Sequence, residues 1–277
     1  MTMEVIDVKG VEVKLDGFLV EKLKLIKKYQ QKDFDVVGLV DGQEGSGKST
    51  LALAMAYYLS DGALTPYHII EGSEDAVKKL GSLADKSVVV IDEGSLLFTS
   101  TDVMKKEQKH LVKILQVMRQ KNMIVLIVAP SFFDLSKYIA VKRSKFLIHV
   151  YSKGFARGRM AYYDEKRKKI LYELGKKRYG SYSKPHPLFR GRFNDFRTPF
   201  HEEYLKQKRS SLQQALDFKP QVNAQKEAQM KVVRNNLKRE EPLTQPVIST
   251  LLGISTRQIR TYTKEIKAEE GIGQGIL

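Results

Sequence analysis

One octad constrains this 277-residue chain more than anything else in it: Gly42-Gln43-Glu44-Gly45-Ser46-Gly47-Lys48-Ser49. Before it, Val36-Val37-Gly38-Leu39-Val40 has the length and apolar content of a strand buried on both faces. After it, Leu51, Ala52, Ala54, Met55 and Tyr58 give the segment Thr50 to Leu59 the pattern of a helix. Strand, glycine-rich loop and helix, in that order, are the context in which the spacing GxxxxGK[ST] does chemistry. Glycines let backbone N–H groups turn inward around phosphate oxygens, and the helix N-terminus adds the positive end of its dipole. Lys48 can reach the β and γ phosphates, and the Ser49 hydroxyl can ligate Mg²⁺. The expected nucleotide-contacting residues are Gly42, Gln43, Glu44, Gly45, Ser46, Gly47, Lys48, Ser49 and Thr50.

Two further apolar runs, Val88-Val89-Val90-Ile91 and Ile124 to Ala129, flank an amphipathic segment from Lys105 to Lys121, and Phe146 to Tyr151 adds a further strand. Apolar strands alternating with helices predict an α/β fold, a parallel sheet sandwiched by helices. Asp92-Glu93 follows the second run directly, so both carboxylates leave the C-terminal edge of a strand, where parallel sheets bind ligands. There Asp92 would hold Mg²⁺ through its water shell, and Glu93 would polarise the water attacking the γ-phosphate of ATP.

With these residues in hand, segment 35–151 resembles the additional-strand, catalytic-glutamate class of P-loop ATPases, with a RecA-like core. Within that class it looks like the FtsK/HerA superfamily and the related Zot-like and viral genome-packaging ATPases. The finer resemblance rests on Leu111 to Lys121 followed by Met123 to Ala129, similar to a helix ending in Arg before a strand that carries a polar sensor. Arg119 matches that Arg. The family usually ends the sensor strand in Thr-Gln, whereas this chain has Ala129-Pro130-Ser131, leaving Ser131 as the sensor candidate. ATPases that hydrolyse between subunits need a cation on a neighbour, for which Arg119, Lys142 and Arg143 are the candidates. The resemblance implies ATP and Mg²⁺ as cofactors and a homo-oligomer, a hexamer being favoured.

Charge points to the partner. The whole chain carries a formal +16, but residues 142–209 alone hold 20 basic and 6 acidic side chains, a net +14. A localised positive segment beside a near-neutral N-terminal half predicts a contact surface for a polyanion, with DNA the leading choice, double-stranded before single-stranded. Met160 to Tyr163 and Ile170 to Leu174 read as a hairpin with a basic tip, Lys166, Arg167, Lys168 and Lys169, expected to hold DNA phosphates. Aromatics among the basic residues of Arg157 to Tyr163 and Arg178 to Phe196 could stack bases or simply pack the hairpin.

Glycines and prolines make 175–201 an irregular connector, followed by polar helices from Glu202 to about Leu216 and from Asn223 to Lys238. Leu243 to Lys264 has the grammar of a helix-turn-helix, an all-α C-terminal domain that resembles winged-helix regulators. Thr244 would cap the first helix and Ser255 the second, with Val247, Leu251, Ile254, Ile259 and Ile266 as the core. Thr256, Arg257, Gln258, Arg260, Thr261 and Lys264 would then face DNA, and Gly271 to Ile276 would form a truncated wing. The alternative is a helical hairpin for protein contact. The expected boundaries are 1–34 (a small hairpin and a helix of Leu19, Leu23, Ile26 and Tyr29), 35–151, 152–209, 210–241 and 242–277.

The chain has no Cys, and its five His are scattered singly, so neither a disulfide framework nor a zinc site is expected. The longest apolar stretch, Met123 to Pro130, is far short of a membrane span, and a cytoplasmic location is expected. Together these readings predict a Mg-dependent ATPase acting on DNA, a ring-forming double-strand motor of a virus or mobile element. Two other classes stay open: an ATP-dependent DNA-binding switch in replication initiation, helicase loading or transcription, and a Zot-like assembly or secretion ATPase.

Overall fold

The computed structural model describes residues 2–71, 76–92, 105–217 and 224–269. The chain divides into two compact units, Met1–Ser211 and Leu212–Leu277.

The first unit opens with an antiparallel hairpin, β1 (Met3–Val8) and β2 (Val11–Asp16). Asp16 accepts a hydrogen bond from the Phe18 N–H and so caps α1 (Gly17–Gln31). Helix α1 buries Leu19, Val20, Leu23 and Ile26, whereas Tyr29 stays half exposed with its ring edge-on to Phe34. The main sheet has seven strands in the order β4-β5-β6-β3-β7-β8-β9. These are β3 (Val36–Gly42), β4 (Ile69–Glu71), β5 (Val88–Asp92), β6 (Ile124–Ala129), β7 (Phe146–Lys153), β8 (Ala156–Tyr163) and β9 (Phe189–Arg192). Strands β3 to β7 pair in parallel, while β8 and β9 extend the sheet antiparallel.

Alternation along each apolar strand explains why β3, β5 and β6 read as unbroken apolar runs. Val36, Val40, Val88, Val90, Ile124 and Leu126 face one core, built with α1 and α2 (Lys48–Leu59). Val37, Leu39, Val89, Ile91, Val125 and Ile127 face the other, with α3 (Ala76–Ser82) and α4 (Lys105–Gln120). Both faces are covered, so both select apolar residues along the strand bodies. Helix α2 lies between the sheet and the N-terminal elements, and every residue from Leu51 to Leu59 is buried. The predicted α/β architecture is therefore the one observed.

Three expectations are corrected. Residues 164–176 are not a hairpin tip and returning strand but a helix, α5 (Glu165–Lys176), because Asp164 caps it through the Arg167 N–H, and Lys168, Leu171, Tyr172 and Gly175 form one buried stripe. The hairpin that does form is β7–β8, turning at Gly154-Phe155 with Phe155 fully exposed. Residues 175–201 are not wholly irregular, since β9 pairs with β8 inside them. Residues 1–34 and 152–209 are not separate domains either. Residues 1–34 share one apolar core of 35–151 through Leu15 and Leu19, and residues 152–209 share its sheet and both cores, through Met160 and Tyr162 on one side and Tyr163 and Leu171 on the other.

Helix α6 (His201–Asp217) carries the chain toward the second unit, which holds α7 (Ala224–Leu237), α8 (Gln245–Leu252) and α9 (Thr256–Glu269). Its core is Val233, Ile248, Ile259, Tyr262 and Ile266, with Met230, Leu252 and Ile254 partly buried. Residues 224–237, expected in a linker, thus supply Met230 and Val233 to a three-helix unit. Asn236 closes the α7–α8 connection by accepting from the Leu243 N–H and donating to its carbonyl. Val247 and Leu251, expected in this core, are exposed, because the eight-residue α8 presents Ile248 and Leu252, one turn apart, to its neighbours. Ser255 does cap α9, accepting from the Gln258 N–H, whereas Thr244 makes no side-chain cap. The wing expected at 271–276 lies outside the described residues.

Candidate functional site

Strand β3 runs into the glycine-rich loop at the C-terminal edge of the sheet. Gly42 has φ +143°, and a Cβ there would collide with the Val150 carbonyl oxygen of β7. Gly47, at the N-cap of α2, has φ +100° and sits against the Phe193 ring. Both positions demand glycine: one for close approach to a neighbouring strand, the other for a left-handed turn into the helix. Between them Gln43, Glu44 and Gly45 are exposed, while Ser46 is buried and, among the described residues, its hydroxyl has no hydrogen-bond partner. The Lys48 ammonium arches back over the loop, donating to the carbonyls of Gly42 (2.7 Å) and Gln43 (2.8 Å). Burial lowers its pKa, opposed by the negative charges of Asp41, Glu44 and Asp92.

Asp92, at the end of β5, is almost fully buried. Its Oδ1 accepts from the Ser49 hydroxyl at 3.0 Å. Its Oδ2 accepts from the Tyr204 hydroxyl at 2.9 Å and from the Lys208 ammonium at 3.0 Å, both on α6. Glu44, Gly45, Lys48, Ser49, Asp92, Val128, Ala129, Pro130 and Lys208 line a cleft of about 360 Å³. Ser49 and Asp92 bring hard oxygen donors together at one wall, beside a loop shaped for phosphate. That donor set suits Mg²⁺, which takes few protein ligands and completes its shell with water and phosphate oxygens. Glu93 lies outside the described residues. Ser131 begins a short 3₁₀ turn (Phe132–Asp134), its hydroxyl accepts from the Phe133 N–H, and the cleft is lined by Pro130 before it.

Sequence reasoning missed Lys208 and Tyr204, whose only signal is i,i+4 spacing on a polar helix. It also missed a buried anchor beneath the loop. Asp41, immediately before Gly42, is fully buried and accepts from the Phe132 N–H at 2.9 Å and from the Tyr182 hydroxyl. His149 Nδ1 lies 3.1 Å from its other oxygen, and the His149 ring stacks on Tyr182 at 3.6 Å. Burial and the adjacent Asp41 charge push the Tyr182 hydroxyl well above the usual tyrosine range. The network ties β3, β7, the turn after β6 and the connector together under the phosphate loop. An acid closing an apolar strand was visible in the sequence; its partners, up to 141 residues away, were not.

The candidate trans cations lie elsewhere. Arg119 is exposed in the last turn of α4, just before β6 begins, at the sheet edge opposite the loop. Arg143 is ion-paired with Asp35, which precedes β3 at that same edge, so its charge is already committed inside the subunit. Lys142 is exposed beside it.

The expected basic tip is dispersed by its helical geometry. Lys166 is exposed, Arg167 pairs with Asp164 at 2.6 Å, and Lys169 pairs with Glu165 at 2.7 Å. Lys168 is fully buried and donates to the Ala140 carbonyl (2.6 Å), the Val141 carbonyl (3.1 Å) and the Ser144 hydroxyl (2.9 Å), which removes it from any phosphate contact. Burial pushes its pKa down to about 7 from an ordinary 10.5. Between those two values the unfolded chain holds a proton that the folded chain releases, so this lysine's unfavourable contribution is full below pH 7 and fades as pH rises. The melting temperature of the wild type should therefore gain on that of Lys168→Met as pH is raised from 7 toward 10. Parallel melting profiles would contradict the assignment.

In the second unit, Thr256, Arg257, Gln258, Arg260, Thr261 and Lys264 are all exposed on α9, with Arg260 donating to Gln245. In the first, Arg159 of β8 lies directly opposite Arg192 of β9. Like charges in register cost stability.

A mixed sheet whose parallel central strand enters a glycine-rich loop and then a helix, with a Ser–Asp pair formed to the end of a second parallel strand, defines a P-loop NTPase fold. No family model matches the chain, and no curated protein matches it. Among solved structures it is similar to the N-terminal domain of zonular occludens toxin from Neisseria meningitidis (12% identity, 47% of this chain and 84% of that one, TM-score 0.36). It is also similar to the genome packaging NTPase B204 from Sulfolobus turreted icosahedral virus 2 in complex with ATP-gammaS (14%, 48% and 94%, TM-score 0.37) and to the FIGL-1 AAA domain (17%, 62% and 62%, TM-score 0.39). Among the described residues, no helix is long and apolar enough to cross a membrane.

Proposed function

We propose that this chain is a Mg-dependent ATPase that binds double-stranded DNA and assembles into a ring that moves along it. The observation that carries the ATPase reading is the convergence of Lys48, Ser49 and Asp92 on one cleft at the mouth of the glycine-rich loop. Backbone N–H groups and Lys48 would bind the triphosphate, and Ser49 and Asp92 would hold the metal, which when bound screens the charge of the phosphates. Glu93, next in the chain after Asp92, would orient and deprotonate the attacking water. DNA binding is supported by two separate features: the net +14 of residues 142–209 and the exposed basic face of α9. In this reading α8 and α9 act as a helix-turn-helix. Arg119, exposed at the subunit surface, is the better placed of the two arginines to act on a neighbour's nucleotide, since Arg143 is internally paired.

The test is ATP-dependent displacement of a triplex-forming oligonucleotide from linear duplex DNA. A motor displaces it with the wild type and not with Glu93→Gln. ATP-dependent duplex binding without displacement would replace the motor by a nucleotide-controlled DNA-binding switch.

A further inference from the structure

We propose that Lys208 is a second nucleotide-contacting lysine, delivered from α6 and held on Asp92, that engages the terminal phosphates of a bound nucleoside triphosphate. The inference rests on the phosphate-site reading above and adds a residue to it from outside the loop.

Lys208 and Lys48 border the same cleft, and the Lys208 ammonium and the Ser49 hydroxyl donate to the two oxygens of one carboxylate, that of Asp92. Asp92 is buried, whereas about a third of the Lys208 side chain remains exposed, and both residues line the cleft. Satisfying Asp92 does not by itself require Lys208. Ser49 serves one carboxylate oxygen, and Tyr204, one helical turn earlier, already serves the other. The ammonium is thus an added charge, and its presence beside Lys48 helps to depress the Lys48 pKa.

Two cations facing one cleft make sense when the intended occupant carries several negative charges. A divalent ion arriving with a triphosphate would compete with the ammonium for Asp92, since both seek the same carboxylate. A lysine head is a point charge on a flexible four-carbon stem, free to change partner without moving its helix. The phosphate oxygens in the cleft are then its nearest acceptors. Tyr204 would stay on Asp92 and keep α6 in register.

The experiment compares binding of fluorescent ATP and AMP analogues to wild type, Lys208→Met and Lys208→Gln, each with Mg²⁺ and with EDTA. Loss of a charge-assisted phosphate contact should weaken ATP about tenfold or more with Mg²⁺ and less with EDTA, where nothing draws the ammonium off Asp92, with AMP changed less than about twofold. Unchanged ATP affinity would overturn the proposal. So would tighter binding confined to Mg²⁺, which would make Lys208 a competitor of the metal only, and so would equal losses for ATP and AMP, which would report a general distortion of the cleft. Should Lys208→Met fail to fold, Lys208→Gln, which keeps a polar head, carries the test. Lys48→Ala separates the two readings: if it leaves ATP binding at the wild-type level, the phosphate site itself is wrong, whereas if it abolishes binding and the Lys208 variants do not weaken it, only the role of Lys208 falls.

Discussion

Lys48→Ala should lower ATP turnover by about 10²- to 10³-fold and weaken ATP binding measurably while leaving the fold intact. The lysine is partly buried at the loop mouth and, among the described residues, its acceptors are the backbone carbonyls of Gly42 and Gln43. Those carbonyls are poor substitutes for a triphosphate, and the ammonium is poised to exchange them for phosphate oxygens as charge builds up during transfer. Loss of the side chain removes that stabilisation without opening a cavity in the apolar core, because α2 packs through Leu51 to Leu59, beyond it. Equilibrium ATP binding and steady-state turnover, measured beside a thermal melt, check this. Wild-type turnover in Lys48→Ala would remove the loop from the chemistry.

Glu93→Gln should separate binding from hydrolysis. The substitution keeps size and hydrogen-bonding capacity but removes the base, and loss of a positioned general base costs about 10²- to 10⁴-fold. Nucleotide affinity should hold within a few-fold, because Lys48, Ser49 and the loop backbone remain. Trapped in the triphosphate state, the variant should bind duplex DNA at least as tightly as wild type. Single-turnover hydrolysis and DNA binding in the presence of ATP give both readouts. A variant that hydrolyses normally would move the base to another residue.

The centre of the molecule was legible in the sequence because short-range constraints dominate there. A strand buried on both faces must be apolar throughout, and a loop that turns its amides inward must place glycines at fixed offsets, so β3, the loop and α2 could be read directly. Asp92 was legible because β5 is apolar up to that residue. What escaped was long-range. Nothing local to Tyr204 or Lys208 says that α6 folds back onto a carboxylate more than 110 residues earlier. The Asp41, His149 and Tyr182 anchor is likewise made by three segments meeting under the loop. The misread hairpin at 160–174 has a simpler cause. The charged run Asp164 to Lys169 looks solvent-facing in sequence, but once Asp164 starts a helix, Lys168 falls on the same stripe as Leu171 and Tyr172 and is carried inside. The C-terminal core was misassigned for a similar reason, since Val247 and Ile248 are equally apolar and only the packing against α7 and α9 selects Ile248.

Coupling of hydrolysis to DNA is tested most directly by steady-state ATP turnover with increasing linear duplex DNA, at two salt concentrations. Turnover should rise severalfold with duplex, more strongly at low salt, as expected for a contact made through phosphates, and Glu93→Gln should remain flat throughout. Turnover indifferent to duplex at both salt concentrations would contradict a DNA motor, and turnover retained by Glu93→Gln would contradict the assigned catalytic centre.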